Sequence, residues 1–204
     1  LGAQFIPRPA FSNGVAEFRD TDRRRSAYQA MTTAPEFIIR DATEADWPAV
    51  SELTRRAYEE FAFVMKPAAW EGLSAALDNA LASHSDGLVE PIVADAGGRI
   101  VGSVMLFPPA VQAYGDLTGT SGVPELRLLA VSQDARRQGV GSALVKECAR
   151  RARLMGATEL GLHTSHSMRA AMRLYLNMGF ERAPERDFQP PGGELVEGYR
   201  LVLS

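Results

Sequence analysis

The chain has 204 residues, with 22 Lys plus Arg against 25 Asp plus Glu; its net charge of −3 provides no general attraction to nucleic acid or to an anionic membrane. The single cysteine excludes an intrachain disulfide and any multi-cysteine metal site, and His84, His163 and His166 lack the spacing of zinc ligands. No apolar run approaches the ~20 residues that cross a bilayer, and the length suits one ordinary core, so the expectation is one soluble domain in the reducing cytoplasm, with no metal.

In chain order, residues 1–34 hold Pro7, Pro9 and the charged cluster Asp20 to Arg25 without sustained periodicity, and read as an N-terminal extension preceding a domain over 35–204. The extension lacks the apolar core of a secretory signal, and Glu17, Asp20 and Asp22 argue against a transit peptide. A leader, an upstream translation and an arm for homodimer contacts all stay open for it.

A strand is expected from Phe37 to Arg40, then a helix from about Glu44 to Glu60 with Thr43 as N-cap and Asp46 in its first turn. A second helix spans roughly Ala69 to Ser83, and Phe61, Phe63 and Trp70 in this region are either core or the wall of a binding pocket. Strands over Pro91 to Asp95 and Ile100 to Phe107 flank the turn Ala96-Gly97-Gly98. The glycine-bearing stretch Pro108 to Pro124 is long for a connection and reads as a functional or mobile loop, a substrate flap being one reading.

Leu126 to Val131 is a short apolar run, bounded by Pro124 and by Ser132-Gln133-Asp134, that suits a buried strand. Beyond it, Val140, Leu144, Val145, Cys148, Ala149 and Ala152 recur at helical spacing, which puts Cys148 on a buried face as a structural thiol. Between strand and helix lies Arg136-Arg137-Gln138-Gly139-Val140-Gly141. Unpaired N–H groups and a partial positive charge at a helix start attract an anion, and glycine lets a phosphate approach the backbone. Arg136 and Arg137 add mobile positive charge. The loop has neither the GKS or GKT ending of a nucleotide-hydrolysing P-loop nor the three glycines of a dinucleotide fold, so it calls for a different phosphate-bearing cofactor.

Further along, Glu159 to His163 alternates as a strand, and Met168, Ala171, Met172 and Tyr175 share a helical face that Gly179 terminates. Tyr199 to Leu203 supplies a last strand. The sum is a mixed α/β sheet with helices on both faces.

Arg136-x-x-Gly139-x-Gly141 resembles the coenzyme A diphosphate loop, R/Q-x-x-G-x-G/A, of the GNAT superfamily of N-acetyltransferases. Leu126 to Val131 resembles the family's preceding central strand, and Ala171-x-x-x-Tyr175-x-x-x-Gly179-Phe180 its A-x-x-x-Y-x-x-x-G-F helix and turn. The resemblance covers roughly Glu36 to Ser204 and is specific from Pro124 to Phe180.

It implies a GNAT-like fold and transfer of the acetyl group of acetyl-CoA to a primary amine, on a small molecule or a peptide. A non-catalytic acyl-CoA-binding module and transfer of a longer acyl group are the alternatives. By the same resemblance Arg136, Arg137, Gln138, Gly139, Val140, Gly141, Ser142 and Ala143 would hold the diphosphate. Main-chain N–H groups of Leu129, Ala130 and Val131 would bind the pantetheine arm and polarise the acetyl carbonyl. Glu125 would be the general base, with His163 or His166 as alternatives, and Tyr175 would protonate the departing thiolate. Many relatives carry Asn seven residues before that tyrosine, where this chain has Met168; Ser165 or Ser167 would replace its contact or cap the helix.

Overall fold

The computed structural model describes residues 36–82, 89–109 and 122–204, all within the compact unit Pro35–Ser204. The N-terminal extension, the end of the second helix beyond Ala82 and the centre of the Pro108 to Pro124 loop lie outside the described residues. Seven strands form one sheet: β1 (Ile38–Asp41), β2 (Glu90–Ala96), β3 (Arg99–Phe107), β4 (Glu125–Val131), β5 (Glu159–Ser165), β6 (Glu181–Arg182) and β7 (Val196–Val202). Their spatial order is β1-β2-β3-β4-β5-β7-β6, antiparallel at every junction except β4 with β5. The helices are α1 (Trp47–Glu59), α2 (Pro67–Ala82), α3 (Val140–Leu154) and α4 (Arg169–Asn177).

The expected first helix begins instead as the single 3-10 turn Glu44–Asp46 and becomes α-helical at Trp47, with Pro48 in its first turn, where no intrahelical N–H is lost. The Asp46 carboxylate accepts from the Thr43 N–H at 2.8 Å and the Thr43 hydroxyl at 2.7 Å, anchoring that entry. A further 3-10 turn, Glu60–Phe63, follows α1. It and the two-residue β6 carry no periodicity and were not expected from the sequence.

The sheet buries apolar side chains on both faces. On one, Ile92, Val104, Leu106 and Leu126 pack against Val140, Leu144, Val145 and Cys148 of α3 and Tyr175 of α4. On the other, Met105, Phe107 and Leu128 pack against Leu77 and Leu81 of α2. A Cβ on Gly102 would lie 2.6 Å from Val140 Cγ1, so the absence of a side chain there lets the start of α3 seat directly on β3. Arg151 pins the other end of α3 to the sheet, at 2.6 Å from Asp41 and 3.0 Å from Glu90. Among the described residues no helix is long and apolar enough to cross a membrane.

Cys148 is fully buried, and burial pushes its thiol up to about 12. At pH 8 only on the order of one thiol in ten thousand is then the reactive thiolate. Native protein is therefore expected to resist an aromatic disulfide reagent at pH 8 and to react at once in strong denaturant; rapid labelling of the folded chain would contradict this burial.

Candidate functional site

The site begins where β4 parts from β5. These parallel strands share one rung, Glu125 opposite Gly161, beside the Gly161 N–H donating to Pro124 O at 2.8 Å. Beyond that rung the edge of β4 facing β5 is unpaired by strand, whereas its other edge follows β3 to Val131. The β3 pairing itself carries a bulge: Ser103 faces Ala130 and Met105 faces Arg127, so Leu128 and Leu129 together oppose Val104. Leu128 adopts φ of 54°, a left-handed conformation uncommon for leucine, and the bulge bends β4 there.

The gap opens into a cavity of about 1340 Å³. That exceeds the roughly 300–1,000 Å³ of ordinary small-molecule sites and leaves room for two reactants. Of the residues singled out from the sequence, Leu129, Ala130, Val131, Arg136, Arg137, Gly139, Val140, Gly141, Ser142 and Tyr175 line it. Gln138, Ala143 and Glu125 are not part of this lining.

At the start of α3, Gly139 is the N-cap with φ of 86° and Arg137 is left-handed at φ 63°. Such a turn directs successive N–H groups toward one side, forming an anion-binding concavity. The N–H groups of Val140 to Ser142 precede the first bond of the α3 ladder, in which the Ala143 N–H donates to Gly139 O at 2.9 Å and so belongs to the helix. Nothing lies within 4 Å of where a Cβ on Gly139 would stand, so the approach to these amides is open.

Arg136 differs from its expectation as a mobile charge. Its guanidinium grips both carboxylate oxygens of Glu60 at 2.9 Å, and Gln133 donates to the same carboxylate at 2.7 Å. The Arg136 guanidinium holds the Glu60 carboxyl below its ordinary range. Arg137 forms no ion pair among the described residues and supplies the loop's uncommitted charge.

Tyr175 is buried on α4 and its position is fixed by the helix end. Phe180 N–H donates to Tyr175 O at 3.1 Å and Gly179 N–H to Leu176 O at 3.1 Å, the paired bonds of a Schellman stop. That stop closes the Phe180 ring onto the Tyr175 ring at 5.6 Å between centroids. A Cβ on Gly141 would lie 3.2 Å from Leu174 Cδ2, so the anion loop abuts the turn of α4 that carries the tyrosine.

Glu125 and His163 form a pair beneath the cavity. Their side chains are 4 % and 3 % exposed, with His163 Nδ1 3.6 Å from Glu125 Oε2. His163 Nε2 lies 2.9 Å from Arg186 O, and since a carbonyl only accepts, Nε2 carries a proton. Nδ1 faces the Glu125 carboxylate at a separation too long for a direct hydrogen bond. His163 lines the cavity and Glu125 does not. His166 also lines the cavity, from an exposed position.

Met168 is the N-cap of α4, a role expected of Ser165 or Ser167. Ser167 is engaged elsewhere, donating to Glu194 Oε2 at 3.1 Å. Phe61 lines the cavity, Phe63 is 89 % exposed, and Trp70 lies outside the lining. Glu194, which also lines the cavity, lies in a segment without helical or strand periodicity.

The fold has counterparts among solved structures. An acetyltransferase of Salmonella typhimurium solved with its cofactor acetyl-CoA superposes with a TM-score of 0.60 at 21 % identity, covering 84 % of this chain and 95 % of that one. A ribosomal-protein-alanine N-acetyltransferase of Brucella melitensis gives 0.55 at 25 % identity over 81 % and 99 % of the two chains. Residues 47–180 match the Acetyltransferase (GNAT) family, and the chain belongs to it. N-acetyltransferase 8F1 of Rattus norvegicus is 38 % identical over 96 residues, 46 % of this chain and 40 % of the rat protein, so the alignment spans less than half the length of that curated relative.

Proposed function

We propose that the protein transfers the acetyl group of acetyl-CoA to a primary amine by direct attack, the diphosphate resting on the loop before α3. The observation that carries this reading is that one cavity collects the N-terminal turn of α3 from Gly139 to Ser142, the open edge of β4, Tyr175 and His163. Acetyl-CoA supplies an activated thioester as the acyl source.

Each group of the chain then has a task. The amides from Arg137 to Ser142 and the Arg137 guanidinium bind negative charge, with Gln138 and Ala143 shaping the turn from behind. The main chain from Leu129 to Val131 offers donors to the acyl carbonyl, where one preorganised N–H contributes about 3–4 kcal/mol in a dry site. The Tyr175 hydroxyl, neutral at pH 7 in an ordinary phenol, is a suitable proton donor for a thiolate.

The acceptor must lose a proton. A primary amine with a pKa of about 10.4 is a free nucleophile in only about one molecule in a thousand at pH 7. The Glu125–His163 pair takes that proton, with Glu125 reaching the cavity through His163 or through water. Glu125→Gln is expected to lower kcat about 100-fold at pH 7, within the usual range for general-base removal. The deficit should shrink as pH rises toward 10, because the amine then deprotonates itself; a constant deficit across that range would exclude the base role.

The activity is tested by following thiol release from acetyl-CoA against a panel of primary amines. Release that requires an amine supports the assignment, and tight coenzyme A binding with no amine-dependent release refutes it.

A further inference from the structure

The segment joining β6 to β7 contributes a second wall to the cavity, through Phe188, Pro190, Glu194 and Val196. Because Val196 pairs with Ser165 at the end of β5, Glu194 emerges just past that strand, where Ser167 meets it. The Ser167 hydroxyl occupies Oε2 at 3.1 Å. Oε1 is buried and has no hydrogen-bond partner, and Glu194 forms no ion pair among the described residues. A carboxylate oxygen withdrawn from water beside a cavity, with its twin fixed by a serine, is matched to an N–H that the protein itself does not supply.

The lining from the turn after α1 and from α2 is mainly apolar, with Phe61, Val64, Met65, Leu73 and Ala76. A carboxylate is poorly placed to attract an anionic cofactor but suited to an amine, which arrives in water as an ammonium ion.

Building on the acetyl-transfer reading above, we infer that Glu194 recognises the acceptor. Oε1 accepts a charge-assisted hydrogen bond from an ammonium group whose apolar body rests on the Phe61 to Ala76 wall. The acceptor class is thus a cationic amine carrying an aliphatic or aromatic group, and Glu194 acts in selection, apart from the proton transfers of Tyr175 and the Glu125–His163 pair.

The test compares 4-phenylbutylamine with 4-phenylbutanol, its neutral analogue, by calorimetry in the presence of coenzyme A. Wild-type protein should prefer the amine at least tenfold. Glu194→Gln should reduce that preference to threefold or less and raise KM for the amine about tenfold, with kcat and coenzyme A affinity within twofold of wild type. Ser167→Ala, which leaves the carboxylate in place but unanchored, should give an intermediate preference.

Unchanged amine preference in Glu194→Gln overturns the inference, as does a loss of coenzyme A affinity with no change in amine KM, which would assign the carboxylate to the cofactor arm. Either result leaves the transferase reading intact if wild-type protein still releases thiol with an amine. Absence of amine-dependent release in the wild type overturns both.

Discussion

Replacing Tyr175 by phenylalanine should lower kcat about 100- to 1,000-fold, the usual contribution of a positioned proton donor, while coenzyme A binds within twofold of wild type. The substitution removes one oxygen and keeps the ring that packs on Phe180, so the Schellman stop and the buried face of α4 should persist. The stability cost should be that of one buried hydrogen bond, about 1 kcal/mol, visible as a few degrees in Tm. Such a split between turnover and affinity marks a group that acts after both substrates are bound. Retained turnover in the phenylalanine variant would remove Tyr175 from the chemistry and leave it as core.

The second large effect is expected at Gly139. An aspartate there must adopt φ of 86°, which costs roughly 1–2 kcal/mol for a residue with a side chain, and it places a negative charge at the N–H groups of the loop. Coenzyme A affinity should fall at least 100-fold, about 2.7 kcal/mol. Gly139→Asn separates the two causes, because asparagine tolerates the left-handed conformation and is uncharged; its loss should be closer to tenfold. Titration calorimetry reads both, with thermal unfolding as the control for folding. Wild-type affinity in the aspartate variant would mean that the diphosphate lies elsewhere.

Local sequence carried much of this arrangement. The strand from Leu126 to Val131, the glycine loop and the α3 periodicity are short-range signals, and a helix ending in Gly179-Phe180 announces its own stop. What escaped depends on partners distant in the chain. Arg136 reads as mobile charge until folding brings Glu60 against it across 76 residues. Glu125 reads as a general base on its own until β5, crossing over, buries it and sets His163 3.6 Å from its carboxylate. The serines before α4 read as caps, and Ser167 is instead taken by Glu194, delivered by the pairing of β7 with β5. The turn after α1 and the two-residue β6 are too short to show a period at all.

The single rung between β4 and β5 leaves the sheet as two wings, β1 to β4 and β5 to β7, hinged at Glu125 and Gly161. A ligand between the wings would take over bonding that a fully zipped sheet provides for itself. A ligand that bridges the two wings would act as a keystone: by mass action, saturation at 100 times Kd would add about 2.7 kcal/mol to the folded state.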